Sequence, residues 1–375
     1  MPPRIRGFRA LAVLIAFASP AAALEKPDTT YQVYQFPRDQ IPRIDGDAAD
    51  WAAVPKSYVI TRAEMRNTSS GTPAAGDATL AIRVKVAWVS GLNRLYFLYE
   101  ATDDYWDFAD PGLRNDTFEI MVDGDASGGP LAGRASQGVW TEAKVGTAAA
   151  RADARISDTD SHWAVAGVHA QNYHIMTPAR QKDWAMAWGA PTWTKEFPWA
   201  NSAQRYAFAP GEGGSYTLEF YITPFDYAGP EGPERAVPSE LVENKIIGLS
   251  WIVIDYDGPT PRGFWTLSPE RTSFGHASEL CAFRLMPIEP DQQPELAARW
   301  SFKIVDHARR VVAFRDDSIG DITAWRWDFG DGTTSADQYP THTYAEAGNH
   351  VVTLEVTGPA GTDKFSRIWD IQFRP

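Results

Sequence analysis

The chain has 375 residues, of which 44% are hydrophobic and 22% charged, so it is long enough for two or three folded domains and is not disordered as a whole. Its formal net charge of -13 argues against a nucleic-acid partner, because no basic stripe is available to meet phosphates. The single cysteine, Cys281, excludes an intramolecular disulfide. The 15 Trp, 14 Tyr and 18 Phe indicate a dense β core or flat platforms for a ligand with an apolar face.

Residues 1–23 have the pattern of a cleavable signal peptide. Three arginines precede a short apolar run at residues 10–17, and small residues at 21–23 offer a cleavage site. That run is much shorter than the roughly 20 apolar residues of a membrane span, and no second span follows. No cysteine stands directly after the cleavage site, so a lipid anchor is not expected. The sequence predicts a secreted or periplasmic protein without membrane insertion.

Short strand patterns follow one another along the rest of the chain, and long helical patterns are missing. Each strand pattern is β-branched or aromatic and is bounded by Gly, Pro, Asn or Asp. The patterns lie at 82–89, 95–101, 117–122, 216–223, 246–254 and 280–286. Short helices are expected at Ala48–Ala53 and 294–299. The sequence predicts an all-β fold, with an antiparallel β-sandwich over 30–287 that carries a long aromatic insertion at about 130–210.

A second unit is expected after a proline-rich linker at 288–294 and extends over 295–375. Its motifs are Trp325-Arg-Trp-Asp-Phe-Gly-Asp-Gly-Thr333 and Pro340-Thr-His-Thr-Tyr344, followed by an alternating strand. Glycines and aspartates in the first motif suit a tight turn between strands. This segment resembles a polycystic-kidney-disease (PKD) domain, an immunoglobulin-like β-sandwich. The resemblance implies a spacer, with an accessory binding surface as the alternative.

Four motifs succeed one another in the N-terminal unit. They are Ile44-Asp-Gly-Asp-Ala-Ala-Asp-Trp51, Asn115-Asp-Thr-Phe-Glu-Ile-Met-Val-Asp-Gly-Asp125, Tyr216-Thr-Leu-Glu-Phe-Tyr-Ile-Thr-Pro-Phe225 and Gly248-Leu-Ser-Trp-Ile-Val-Ile254. Trp51 is placed to anchor a first strand. The succession resembles a family 9 carbohydrate-binding module, within the DOMON-like sandwiches. The resemblance implies sugar binding between Trp rings, often with structural calcium, and its wider relatives include haem-binding domains.

The insertion holds the densest aromatic cluster of the sequence. Trp184, Trp188, Trp193 and Trp199 fall within 16 residues, interleaved with prolines and glycines. Loops seldom carry this much aromatic area unless it is buried against the domain or kept for a ligand. These four residues are our candidates for stacking on a polysaccharide or oligosaccharide. The alternative is a satellite core under a long loop.

A calcium site is expected among acidic turns. Asp123, Asp125 and Ser127 place oxygen ligands at alternate positions of one turn, and Asp103 and Asp104 add oxygens nearby in sequence. The bidentate Glu of an EF-hand is missing from the twelfth position. The site would be structural, and solvated turn carboxylates are the alternative.

Catalysis and haem binding remain alternatives to sugar binding alone. His174, Tyr173 and Arg180 are candidates for a polysaccharide lyase site, and paired carboxylates for glycoside hydrolysis stay open. The sequence has no zinc-protease motif, nucleophile elbow or P-loop. A non-covalent haem would need axial ligands from His162 or His174 with Met121, Met176 or Met186. The interpretation that the sequence favours is an exported polysaccharide-binding protein with a PKD spacer.

Overall fold

A computed structural model describes residues 29–68, 79–108, 115–128, 131, 167–179, 186–187, 192–229, 232–270 and 272–373. The predicted signal peptide therefore lies outside the described residues, as do His162, Arg180, Trp184 and Trp188. Within the described ranges, no helix is long and apolar enough to cross a membrane.

Strands and short 3-10 helices make up the regular structure of these ranges, which confirms the predicted all-β fold. The N-terminal strands are β1 Thr30–Gln35, β2 Ile60–Thr61, β3 Arg66–Asn67, β4 Ala81–Trp88, β5 Leu95–Asp103, β6 Thr117–Asp123, β7 Gln171–Met176, β8 Met186–Ala187, β9 Ala200–Arg205, β10 Gly214–Ile222, β11 Phe225–Tyr227, β12 Val237–Pro238, β13 Ile246–Asp257, β14 Thr260–Thr266 and β15 Cys281–Leu285. The C-terminal strands are β16 Trp300–Asp306, β17 Val311–Asp316, β18 Ala324–Asp328, β19 Thr334–Ser335, β20 Thr341–Thr343, β21 Gly348–Gly358 and β22 Gly361–Phe373. The 3-10 helices are Ala48–Ala53, Lys56–Tyr58, Arg62–Glu64, Thr192–Lys195, Pro233–Arg235, Ala277–Glu279 and Pro290–Gln292.

The N-terminal unit is a sandwich of two sheets that share β1. One sheet has the order β8-β7-β6-β13-β15-β1, and the other has the order β1-β4-β5-β10-β9. Residues 30–33 pair in parallel with β15, and Tyr34 and Gln35 pair in parallel with β4. The neighbouring pairs on both sides are antiparallel. The sandwich is therefore antiparallel apart from β1.

Large aromatic side chains fill the space between the two sheets. The rings of Tyr99 and Phe118, from opposite sheets, stack with centroids 4.4 Å apart, and those of Phe97 and Phe220 stack at 4.5 Å. Inward-facing positions alternate along each strand, which is why the sequence patterns locate all six predicted strands. Burial of such large rings contributes strongly to the apolar driving force of this core, together with the aliphatic residues around them.

One local expectation was wrong. Residues 294–299 form no helix, because Ala297 makes a β-bridge to Ile319, and the nearby 3-10 helix is Pro290–Gln292. Two strands lie within the range of the predicted insertion: β7 pairs with β6, and β9 pairs with β10. These strands extend the two sheets, so part of the predicted insertion belongs to the sandwich.

Trp51 anchors the N-terminal segment on the outside of the second sheet, as the first motif suggests. Its side chain is fully buried and donates from Nε1 to Glu219 at 2.8 Å. Glu219 also accepts the Gly46 amide at 2.7 Å. Burial raises the pKa of Glu219, although these donors act against that shift. A buried carboxylate with several donors thus holds the first turn in place.

The C-terminal unit has two facing sheets, β16-β17-β20 and β19-β18-β21-β22. Trp327 is fully buried between them, and the hydroxyl of Tyr344 donates to the carbonyl of Phe329 at 3.1 Å. Asp331 accepts from the Thr333 amide at 3.0 Å and lies 2.6 Å from Nε2 of His342. Burial raises the pKa of Asp331, but its bonds to Thr333 and His342 outweigh this and lower it to about 2. The predicted turn is therefore tied to β20.

The proline-rich linker lies against the N-terminal sandwich. The hydroxyl of Tyr34 donates to Gln292 Oε1 at 2.5 Å, and the hydroxyl of Tyr58 donates to Glu289. Both tyrosines belong to the apolar cluster on the outside of the second sheet. The linker is therefore held along its length rather than running free between the units.

Direct contacts join the two units beyond the linker. Arg38 donates to Asp363 at 3.0 Å and to the Ala298 carbonyl at 2.9 Å, and its guanidinium lies 4.4 Å from the Phe365 ring centroid. Phe365 also meets Gly91, where an added Cβ would lie 2.6 Å from the ring. Glycine is required at this contact for space and for its φ of +85°.

We expect Gly91→Ala to lower the melting temperature of the full chain more than Gly332→Ala does. Gly332 has a φ of +87° with nothing within 4 Å of an added Cβ, so both variants carry the same backbone strain. Only Gly91→Ala adds a clash with Phe365, and such overpacking should lower the free energy of unfolding by about 1–3 kcal/mol. Calorimetry on both variants measures the difference, and equal shifts would show that the Phe365 contact contributes nothing.

Candidate functional site

Strand register assigns the loops of the N-terminal sandwich to two opposite ends. Leu95 pairs with Ile222, and Ile222 pairs with Ala200, so the turn 89–94 and the start of β9 share one end. Phe225, which follows the end of β10, donates its amide to Gln171 at the start of β7. Gln171 is paired with Val122 near the end of β6, so the end of β6 and the start of β7 lie at this same end of the sandwich. We call this the aromatic end. Asp103 and Asp116 lie at the opposite end.

Two of the predicted tryptophans meet at the aromatic end. Trp193 and Trp199 are half-buried and lie edge to face, with ring centroids 5.9 Å apart. Both also pack edge to face on the fully buried Phe225, at 5.2 and 5.6 Å. Sequence reasoning missed Phe225, although it follows β10 directly after Pro224. The pair is therefore part core and part surface.

The positions of these two rings are fixed by hydrogen bonds and burial. Nε1 of Trp193 donates to the Gly229 carbonyl at 3.1 Å. The next residue, Thr194, is fully buried, and the carbonyl of Trp199 accepts from Thr223 N and Oγ1, both at 2.9 Å. Rings held in this way lose little conformational freedom when a ligand binds.

Several exposed or half-buried groups lie close to the tryptophan pair in sequence or at the same end of the sandwich. Phe197, between the two tryptophans in sequence, has 79% of its surface exposed, which is rare for so large an apolar side chain. His169 is exposed and packs on Tyr227 with centroids 5.7 Å apart. Lys195 is half-buried and Glu196 exposed, so a cation and a carboxylate lie beside the rings in sequence. Apolar faces and hydrogen-bonding groups therefore occur together on this surface.

Tyr206 and Phe208, from the same aromatic stretch, lie at the opposite end. The Phe208 ring stacks on Trp106 at 5.3 Å, and both residues pack against the core between the sheets. These two residues therefore extend the main core of the sandwich. Since they follow β9 whereas Trp199 precedes it, one strand separates the two aromatic groups.

Two of the catalytic candidates do not come together. Tyr173 is fully buried between the sheets, whereas His174, the next residue of β7, points to the other face. There Nε2 of His174 lies 2.8 Å from Glu119 Oε1, which also accepts from Asn172 at 2.8 Å. Adjacent strand residues face opposite sides of a sheet, so Tyr173 and His174 cannot share a lyase site.

Two of the three methionines considered for haem are engaged with protein groups, and the side chain of the third, Met186, lies outside the described residues. Met121 is fully buried in the apolar cluster on the outside of the first sheet, and Met176 accepts from Asn115 at 3.8 Å. With His174 held by Glu119, these side chains form no open axial pair. Haem binding stays an untested alternative, and no step is derived through it.

The predicted calcium ligands fall into two groups. Asp123, Asp125 and Ser127 form a turn at the aromatic end, whereas Asp103 and Asp104 lie at the opposite end, the length of β6 away or about 20 Å. Within the turn, Asp123 accepts the Gly128 amide at 2.7 Å and Asp125 accepts the Ser127 amide at 3.0 Å.

The described residues contain no group of three or more His, Cys, Asp or Glu placed to hold a metal ion. The five predicted ligands therefore do not fit one calcium ion. Calcium binding stays a prediction for either group.

Comparison with known proteins identifies the second unit. Residues 292–372 match the family model of the PKD domain. The C-terminal unit is a PKD domain. The chain is 49% identical over 64 residues to the pre-pro-metalloprotease PrtV of Vibrio cholerae serotype O1, a match that covers 17% of the chain and 7% of that protein. The PKD1 domain of PrtV is similar at 32% identity, covering 20% of the chain and 91% of that domain, with a TM-score of 0.18.

Two solved structures of a family 9 carbohydrate-binding module from Caldicellulosiruptor kristjanssonii are similar to a larger share of the chain than the PKD domains are. The module in complex with cellotriose covers 71% of the chain and 98% of its own length, at 12% identity and a TM-score of 0.42. The module in complex with glucose gives 13% identity, a TM-score of 0.40 and coverage of 71% and 100%.

Buried carboxylates at the opposite end make stability depend on pH. Asp116 accepts the amides of Asp107 and Tyr256, both at 2.8 Å. Burial raises its pKa to about 9, with Asp255 and Asp103 adding like charge. The folded chain therefore binds a proton that the unfolded chain has already lost at neutral pH, and the free energy of unfolding falls as pH rises from about 4 to 9.

We expect the melting temperature to decrease between pH 5 and pH 9 and Asp116→Asn to flatten that decrease above pH 7. Burial also raises the pKa of Asp123, to about 7, so Asp123 contributes to the slope mainly below pH 7, whereas Asp116 contributes up to about pH 9. Asparagine cannot reproduce both amide contacts, so the variant is less stable overall and the slope is the informative quantity. Thermal unfolding at constant ionic strength measures it, and an unchanged slope would contradict the assignment.

Proposed function

We propose that this protein is an exported carbohydrate-binding protein and that its N-terminal sandwich binds sugar at the aromatic end. The observation that carries the proposal is the half-buried Trp193–Trp199 pair, held on Phe225 beside the exposed ring of Phe197. A pyranose has C–H faces that pack on aromatic rings and hydroxyls that need polar partners at the rim.

The chemistry around the rings supports a neutral glycan. His169, Lys195 and Glu196 supply donors and acceptors of both charge signs, which suits hydroxyl groups. The net charge of the chain is -13, so long-range repulsion disfavours sulfated or uronate-rich polymers. Export follows from the predicted signal peptide, and the PKD domain agrees with a role outside the cytoplasm.

Recognition requires only binding and positioning by these residues. Trp193 and Trp199 present rings whose orientation is set before the ligand arrives, so stacking pays little ordering entropy. The hydrogen bond from Trp193 to Gly229 keeps one indole from turning away. The proposal assigns no bond-breaking step to these residues.

We expect Trp199→Ala to weaken binding of glucose and cellotriose at least about tenfold, because a stacking face is lost at the centre of the surface. Phe197→Ala should also weaken binding, without loss of stability, since its ring is mostly exposed. Tyr339→Ala on the PKD domain, where 61% of the tyrosine is exposed, is the matched control and should bind as the wild type does.

Isothermal calorimetry with the mature full chain measures these affinities, together with retention on immobilised polysaccharides. Melting temperatures of all variants separate lost contact from lost folding. Wild-type affinity in a folded Trp199→Ala variant would reject this surface. Failure of the wild type to bind any sugar or polysaccharide would reject the function.

A further inference from the structure

The PKD domain is attached at the aromatic end of the sandwich. Arg299 pairs with Glu243 at 3.0 Å, and Arg367 pairs with Glu240; both acidic residues lie in the segment that precedes β13. In both pairs the PKD domain supplies the arginine and the sandwich supplies the carboxylate. The pair of Arg38 with Asp363 has the reverse arrangement. The PKD domain is therefore held in one orientation beside the proposed sugar surface.

Two cavities flank the Phe365 contact, one of about 400 Å³ and one of about 430 Å³. Both are lined by Ser90 and Arg299, so they lie side by side at the junction. Their volumes fall in the range of about 300–1,000 Å³ that small-molecule sites occupy, and such sites favour boundaries between domains.

A short turn connects the second cavity with the tryptophan pair. Arg94 donates to the Pro198 carbonyl at 3.3 Å, next to Trp199, and its guanidinium lies 4.4 Å from the Tyr221 ring centroid. Three residues earlier Gly91 touches Phe365, and three residues of chain span at most about 11 Å. Trp199 and the junction therefore lie at the same end of the sandwich and are connected through Arg94 and the turn 89–94.

The lining of the second cavity is polar and nearly balanced in charge. Glu240 and Glu243 are paired with arginines across the junction, and Asp317 is paired with Arg315 at 2.9 Å. Ser90 and Ser301 add hydroxyl groups from the two units. Paired charges offer both donors and acceptors without a net field, which fits an uncharged polyhydroxyl ligand better than an ionic one.

We propose that the junction is a second saccharide subsite, formed by the turn 89–94, the segment 240–243 and the PKD domain. It receives the units of a neutral oligosaccharide that extend beyond the tryptophan pair. This inference rests on the proposed function, and it makes the PKD domain a wall of the binding cleft instead of a spacer.

The test uses the full chain with glucose, cellotriose and cellohexaose as probes. Ser90→Trp fills the cleft from the sandwich side, and Ser301→Trp fills it from the PKD side. Ser215→Trp, at an exposed position of β10, is the control for adding an indole. Wild-type affinity should rise about tenfold from glucose to cellohexaose, the gain expected from one or two added hydrogen bonds.

Both filling variants should bind glucose as the wild type does and lose the gain for cellohexaose, whereas the control should keep it. Melting temperature and small-angle scattering check that each variant keeps its fold and domain arrangement. Equal wild-type affinity for all three sugars, or a gain that survives in the filling variants, overturns the subsite and leaves the proposed function standing. No binding of any probe overturns both.

Discussion

Strand β1 pairs with both sheets of the sandwich, and the layout of the molecule depends on this. After residue 33 it leaves β15 and joins β4, in parallel each time, so its end must lie where β4 and β15 end. That is the aromatic end. The chain then continues over the outside of the second sheet, where Trp51 is buried on Glu219. The same end receives β15 and so the linker, which brings the PKD domain beside the tryptophan pair.

Aromatic residues complete the core at one end of the sandwich and form the proposed binding surface at the other end. At the opposite end Trp106 and Phe208 stack and complete the core. At the aromatic end Trp193 and Trp199 pack edge to face on Phe225 and on each other, and both stay half-buried. The buried part of each side chain fixes the ring, and the exposed part is available. A site that is held by the core in this way needs little rearrangement on binding.

Charge is also distributed unequally between the two ends. Asp116 is buried near Asp103 and Asp255 and is held protonated by desolvation at neutral pH. At the junction, by contrast, each arginine faces a carboxylate from the other unit. Partly exposed pairs of this kind contribute little energy singly, about 0–1 kcal/mol, so the Phe365 contact with Gly91 supplies shape and the pairs supply orientation.

The sequence by itself determined the all-β class, the six main strands and the PKD domain, because alternation and turn residues are local properties of the chain. Trp193 and Trp199 were also selected from local density alone. The sequence did not show that Tyr173 and His174 face opposite sides of their sheet, or that the predicted calcium ligands divide between the two ends of the sandwich. Nor did it show that Phe225 supports the tryptophans. It also gave no sign that the PKD domain contacts the turn 89–94. These relations join residues far apart in the chain, and only strand order, register and the packing of two units decide them.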